Sequence, residues 1–421
     1  MALFKKDYSM ILDSLNHLAW RMNRKIEWAF FILAAVYFIG AMIIFLPRPA
    51  SGDELVFISD LDYTFKHGFW AASRYQVSLP YMLLVYPFAT FLEPIVALRL
   101  VNLLLTAFLF LYIIKISKQR IDVLFYSLFF IATANFFFAG VNDVLFITGM
   151  VLFLSETMLH LDRGENTHSG LGLFGLVIAI FTRQLYLLYL IPILVGLFYL
   201  LNYYWRPSRT WLVICGLTLA FFVYLNIPSI ETNHKLSYDN KVPPPYISAN
   251  WQQLQYLAQL EVNAGDRPNY THPSWEDVDS YLNMNGDYSL PDNTFDALTM
   301  DPILTFTEFF KDLGDSLFFS TRGIGLMLWF ALFFGVRGIL STHSYGFELL
   351  IPFTLVWVMC LVSFIIISFI EARWYAAILL TVCMFFSRRA REEKYSHLLL
   401  AANYSGLLIM TIYGMYKWTL R

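Results

Sequence analysis

The run WAFFILAAVYFIGAMIIFL at 28–46 carries no charge and is closed by Pro47 and Pro49. A hydrocarbon core roughly 30 Å thick needs about 20 apolar residues per helix, so this run predicts a membrane span. Further candidates follow at 95–114, 122–140, 144–160, 170–182, 185–204, 210–227, 322–340, 347–370, 374–387 and 397–416. Each is too apolar all round to be a surface helix of a soluble protein. The chain is 58% hydrophobic and 14% charged, against about 45–50% and about 25% for soluble domains. A soluble enzyme and a disordered scaffold are thereby excluded, and a net charge of −2 leaves no footprint for nucleic acid. Forty Phe, 26 Tyr and 11 Trp suggest broad interfacial belts. The expected fold class is an all-α polytopic membrane protein of about eleven transmembrane helices.

Lysine and arginine in short loops set the expected orientation. Lys5, Lys6, Arg21, Arg24 and Lys25 precede the first span and place the N-terminus in the cytosol, and the polar residues at 5–27 argue against a cleavable signal. Alternation then predicts cytosolic loops at Lys115–Arg120, around Arg163, at Arg206–Arg209, near Arg337 and at Arg388–Lys394. The opposite loops collect acids: Asp53, Glu54, Asp60, Asp62, Glu93, Asp143 and a dense set between Glu231 and Asp315.

Two extracytoplasmic segments are long, 48–94 and 228–321, dividing the chain into a module at 1–227, a helical loop at 228–321 and C-terminal spans at 322–421. In the second segment Trp251, Leu254, Leu257 and Leu260 recur at helical spacing, and Ser274 with Asp277 forms a helix-start signal. Asp301-Pro302 opens a third helix with Ile303, Phe306, Phe310, Leu313 and Leu317 on one face, as expected of a helix lying on a bilayer. No internal repeat is evident, which disfavours a transporter built from inverted halves.

Charged residues that interrupt apolar sequence mark where chemistry can sit. Ser51-Gly52-Asp53-Glu54 follows the first span; Ser51 and Glu54 fit a capping box, and a carboxylate there is also placed to act as a general base. Asn142-Asp143 lies at the mouth of the third and fourth spans. Arg183 and Arg373 interrupt apolar stretches at the same expected depth, where paired guanidinium groups suit a phosphate head group. Arg74 and Arg322 are further candidates, while Glu156 and Glu348 read as interhelix hydrogen bonders. The eight histidines form no HxxxH or HExxH pair, and Cys215, Cys360 and Cys383 lie in apolar runs. Asp53 and Asp143 leave room for one shared divalent cation, Mg or Mn, which spacing alone does not decide. Asn269-Tyr270-Thr271 is a glycosylation sequon that has meaning only in a eukaryotic lumen.

An inward N-terminus, one span, and an outer loop opening on Asp-Glu resemble the GT-C superfamily of integral membrane glycosyltransferases. The stretch at 78–116 resembles their juxtamembrane helix followed by a span, and EARWY at 371–375 is similar to their late Arg-x-Tyr feature. LRLVNLL at 98–104, FTRQ at 181–184 and, loosely, GVNDV at 140–144 are similar to segments of the dolichyl-phosphate-glucose-dependent α-1,2-glucosyltransferases of N-glycan assembly. The first loop lacks their histidine-rich continuation and the chain is shorter, which favours a bacterial inner membrane over the endoplasmic reticulum membrane. The resemblance implies inverting transfer of a hexose, glucose favoured, from a polyprenyl-phosphate donor to a glycan or lipid-linked acceptor. It implies Asp53 as base with Glu54 next, Asp143 orienting the acceptor or binding a cation, and Arg183, Arg373, Arg74 and Arg322 on the donor phosphate. The competing class is a flippase or transporter for a lipid-linked sugar. Such a carrier needs polar groups at the bilayer midplane, whereas the polar residues here gather at one face.

Overall fold

The computed structural model describes residues 2–116, 118–163, 170–204, 208–238, 241, 243–244, 246–269, 271–341, 349–365 and 369–420. Arg206, Tyr270 of the sequon and Glu348 lie outside them. Among the described residues the regular elements are helices and no strand occurs. In order they are α1 (Ala2–Phe45), α2 (Asp53–Arg74), α3 (Leu79–Ala89), α4 (Pro94–Leu111), α5 (Ile121–Ala134), α6 (Asp143–Arg163), α7 (Leu171–Thr182), α8 (Leu190–Tyr199) and α9 (Arg209–Asn233). They continue with α10 (Trp251–Ala264), α11 (Trp275–Asn285), α12 (Thr294–Met300), α13 (Pro302–Ile324), α14 (Leu326–Leu340), α15 (Leu350–Ser363), α16 (Ala376–Arg389) and α17 (Ser396–Thr419).

Among the described residues, five helices are long and apolar enough to cross a membrane: Ile11–Phe45, Pro94–Lys115, Gln184–Asn202, Arg209–Asn233 and Ser396–Trp418. A sixth is added if α13 and α14, bent by 118°, count as one span. The expected eleven is therefore not established, although among the described residues each apolar run contains helix. The physical reason is breakage. The helix in the run at 122–140 stops at Asn135, which takes a left-handed turn (φ 52), and Arg183, extended (φ −148), separates the runs at 170–182 and 185–204. Gly325 (φ 61) makes the bend between α13 and α14, a conformation a side chain resists.

The exterior is apolar. Along α9, Val213, Leu217 and Phe221 face outward, Leu217 with 67% of its surface exposed. Similar rows run along α1 (Ile32, Val36, Ile39, Ile43) and α14 (Trp329, Phe333, Val336). A surface of this extent in water would aggregate; in hydrocarbon it costs nothing. The long apolar helices and this exterior are compatible with an integral membrane protein.

The centre is formed by α6 and α16, with α16 buried from Ala376 through Ser387. Helix α6 packs on α7 at Gly149 and Gly175, where a Cβ on Gly149 would stand 2.4 Å from the Gly175 carbonyl oxygen. Only glycine permits that approach, which is how small residues bring membrane helices together. Glu156 reads as expected: its Oε2 accepts from the Gly172 N–H at 2.9 Å across the same pair. Opposite the site described below, buried Asp122 accepts from Ser387 Oγ and Arg391 Nη2, both at 2.8 Å. The fourteen-residue helices α5 and α16 separate this lock from the site by about 20 Å.

The polar segment folds as its start signals predict. Ser274 and Asp277 form a reciprocal capping box on α11, and Asn250 with Gln253 forms another on α10. Leu254 and Leu257 pack into a small core with Val278 and Leu282. Asp301 caps α13, accepting from Ile303 N and Leu304 N at 3.0 Å. Helix α13 is turned inside out relative to a soluble helix: Thr305, Glu308, Asp312, Ser316 and Ser320 are buried, while Ile303, Phe306 and Phe310 are exposed. Leu313 and Leu317, from the same expected face, are half-buried against the bundle.

Candidate active site

The loop ends at one face of the bundle are held by buried polar side chains that α4 projects. Arg99 donates from Nε to Glu54 Oε1 (2.8 Å) and from Nη2 to Glu54 Oε2 (2.7 Å), and its Nη1 reaches the carbonyls of Leu46 and Arg48, both at 2.6 Å. Glu54 Oε1 also accepts the Gly140 N–H at 2.6 Å. One turn further along α4, Asn102 Nδ2 donates to the carbonyls of Ala139 (2.5 Å) and Val141 (2.9 Å). Asn142 closes the loop by donating to the Thr182 carbonyl at 3.2 Å. These contacts pin the end of α1, the start of α2 and the turn before α6 to one another. Both Glu54 carboxylate oxygens and all three Arg99 guanidinium nitrogens have partners, which is the condition under which burying charge is tolerable.

Glu54 thus differs from its expected capping role. Gly52 stands at the start of α2 without a side-chain cap, and Glu54 reaches back to the Ser51 N–H only at 3.4 Å. Burial pushes the Glu54 carboxyl up, but the Arg99 guanidinium and the Gly140 N–H hold it below its ordinary value.

Beside this strut lies a second set of charges. Arg373 Nη1 donates to Asp53 Oδ2 (2.6 Å) and to Asp143 Oδ2 (3.2 Å), and its Nε donates to Glu371 Oε2 (2.5 Å). Arg183 Nη1 donates to Asp143 Oδ1. The break at Asn135, the extended Arg183 and the short helical turn Ala372–Trp374 are what bring these groups to one place. Asp53 heads α2 with 51% of its side chain exposed, whereas the Asp143 side chain, at 1%, is sealed behind the two arginines it aligns. Burial acts to raise the Asp53 carboxyl, yet Arg373, Arg183 and Lys241 together hold it below the usual aspartate value. Glu371 moves the other way: burial raises it, Asp143 and Asp53 add to the rise, and Arg373 only partly offsets them.

This cluster forms one wall of a cavity of about 1460 Å³. Five cations line it, Arg183, Arg373, Arg322, Lys235 and Lys241, against the carboxylates of Asp53, Glu54 and Glu371. With Glu54 committed to Arg99, positive charge prevails, which favours an anionic ligand. A second wall is apolar and includes Leu185, Leu187, Leu188, Leu361, Phe364 and Ile365. A third comes from the polar segment, through Tyr238, Trp251, Gln255, His272 and Thr294.

Of the residues singled out in the sequence, Asp53, Arg183, Arg373 and Arg322 line the cavity, and Asp143 stands directly behind it. Arg74 does not. It is exposed at the end of α2, where its carbonyl accepts from Asn233 Nδ2 at 2.9 Å. Asp53 and Asp143 are both turned on the Arg373 guanidinium, and among the described residues no group of three or more His, Cys, Asp or Glu is arranged to hold a metal. Sequence reasoning passed over Arg99, Asn102, Glu371 and Gln255. Arg99 and Asn102 were signalled as polar residues three apart at the head of an apolar span, and Glu371 as a second charge two residues before Arg373.

Compared with family models, with curated proteins and with solved structures, the chain has no match.

Proposed function

We propose that this chain is an inverting glycosyltransferase that moves a hexose, glucose favoured, from a polyprenyl-phosphate donor to a hydroxyl of a glycan or lipid-linked acceptor. The observation that carries the proposal is the convergence of Asp53, Arg183 and Arg373 on a cation-rich cavity with an apolar wall. A lipid phosphate needs those two surfaces together, guanidinium groups for the phosphate and hydrocarbon for the tail. The sequence resemblance to GT-C enzymes supports the same reading. With the Lys and Arg distribution of the loops, the cavity opens away from the cytosol, in a bacterial inner membrane by preference.

In this mechanism the acceptor oxygen attacks the anomeric carbon from the face opposite the phosphate. Asp53 takes the hydroxyl proton, the bond from carbon to phosphate oxygen breaks, and its electron pair leaves on the phosphate. Arg183 and Arg373 stabilise that developing charge, with Arg322 assisting. Asp143 is a positioning residue that aligns both guanidinium groups. The low-lying carboxyl of Asp53 keeps it ionised at neutral pH but makes it a weak base while Arg373 holds it. A donor phosphate that engages Arg373 would loosen that hold, so basicity rises when the donor is in place.

The test is transfer by the purified full chain in lipid nanodiscs, using radiolabelled polyprenyl-phosphate hexoses. Covalent transfer from at least one donor is expected. Arg183→Ala should raise the donor KM about tenfold, the loss of about one charge-assisted hydrogen bond, and lower kcat as well, because Arg183 also meets the charge that develops on the phosphate. Movement of the lipid-linked sugar across the bilayer without covalent transfer, or an unchanged donor dependence in that variant, would overturn the proposal.

A further inference from the structure

The third wall of the cavity is supplied by the polar segment, and Gln255 stands in it. Gln255 is buried to 6% exposure, lines the cavity, and its carboxamide makes no hydrogen bond among the described residues. The carboxamide opens on the cavity, where the hydroxyls of a ligand can take the place of the water that meets it. Trp251 stands one turn before it on α10, so both side chains lie on the same helix face, and the indole also lines the cavity. The Lys241 ammonium lies 4.5 Å from the Trp251 ring centroid, and His272 meets the ring edge-on at 5.7 Å. Lys241 is also among the cations that act on Asp53, which puts this wall next to the carboxylate at the head of α2.

An amide that offers a donor and an acceptor side by side matches the vicinal hydroxyls of a sugar ring, and an indole matches the ring's C–H face. No acidic side chain of the third wall lines the cavity to demand a cationic ligand. We infer that Gln255 and Trp251 form the subsite for a saccharide acceptor, presenting its hydroxyl to Asp53. This rests on the transferase reading for the role of the sugar, but the binding of the sugar itself does not depend on it.

Two variants keep the inference testable: Gln255→Leu, which is near in volume, and Trp251→Phe, which retains an apolar ring against the α10–α11 core. Binding is measured directly by saturation-transfer NMR on the full chain in nanodiscs. The probes are methyl glucosides, mannosides, galactosides and N-acetylglucosaminides in both anomeric forms. At least one glycoside should bind the wild type, and each variant should weaken it about fivefold to tenfold, as expected for one lost neutral hydrogen bond or ring contact. Binding of none of the glycosides, or equal binding by wild type and both variants, would overturn the subsite. Glycoside binding that depends on Gln255 in a protein without transferase activity leaves the subsite standing and removes the transferase reading. Transfer with an acceptor KM unmoved by both variants does the reverse.

Discussion

Asp53 and Glu54 are neighbours in the chain and opposites in the structure. Glu54 belongs to a strut in which Arg99 satisfies both carboxylate oxygens and the remaining contacts reach the end of α1 and the turn before α6. Asp53 belongs to an open network in which Arg373 divides one nitrogen between two carboxylates and Asp53 itself stays half-exposed to a cavity. The same residue types therefore serve two ends. A buried pair with every polar heavy atom bonded fixes geometry, and a half-exposed pair can exchange its partner for a ligand. Burial sharpens the contrast, because charged groups taken out of bulk water must either be paired or face a wet space.

The largest expected effect breaks the strut. Glu54→Gln or Arg99→Met leaves its partner buried and unpaired, a loss of about 3–5 kcal/mol. Thermal unfolding in detergent should record it as a large fall in melting temperature; stability at the wild-type level would mean that the strut does not hold the loops. A smaller effect probes the open network through pH. Because the Glu371 carboxyl is raised, the folded state binds its proton more tightly than the unfolded chain does. Stability therefore declines as pH rises above about 4.5, the ordinary value of the group. Glu371→Gln should raise the melting temperature at neutral pH and lose that advantage below pH 4.5; an advantage independent of pH would contradict the assignment. The smallest effect belongs to Arg74, exposed and away from the cavity. Arg74→Ala should shift stability by less than about 0.5 kcal/mol and leave transfer unchanged, as measured by the same unfolding and transfer assays.

Much of this contrast was legible in the sequence, and the rest was hidden for physical reasons. Arg183, Arg373 and Asp53 stand out because a charge inside an apolar run is costly and needs a reason. Their convergence could be anticipated from shared depth, although not which of them touch. The Glu54 partner was hidden because Arg99 lies in another helix, and a capping box gave a local explanation for the same residue. Asp143 read as a candidate for the cavity itself, yet two arginines fold over it. The span count stays unconfirmed, because Asn135 and Gly325 break apolar runs that the sequence reading took as continuous. Helix α13 exposed a further ambiguity: an amphipathic pattern gives two faces but not which solvent each one meets, and here the apolar face is outermost.

The most direct measurement compares Asp53→Asn with the wild type in radiolabelled hexose transfer, with unfolding temperature and donor affinity recorded on the same preparations. The account predicts transfer reduced by about 10²-fold or more, an unfolding temperature close to that of the wild type, and a donor that still binds. Wild-type transfer rates in Asp53→Asn would contradict it.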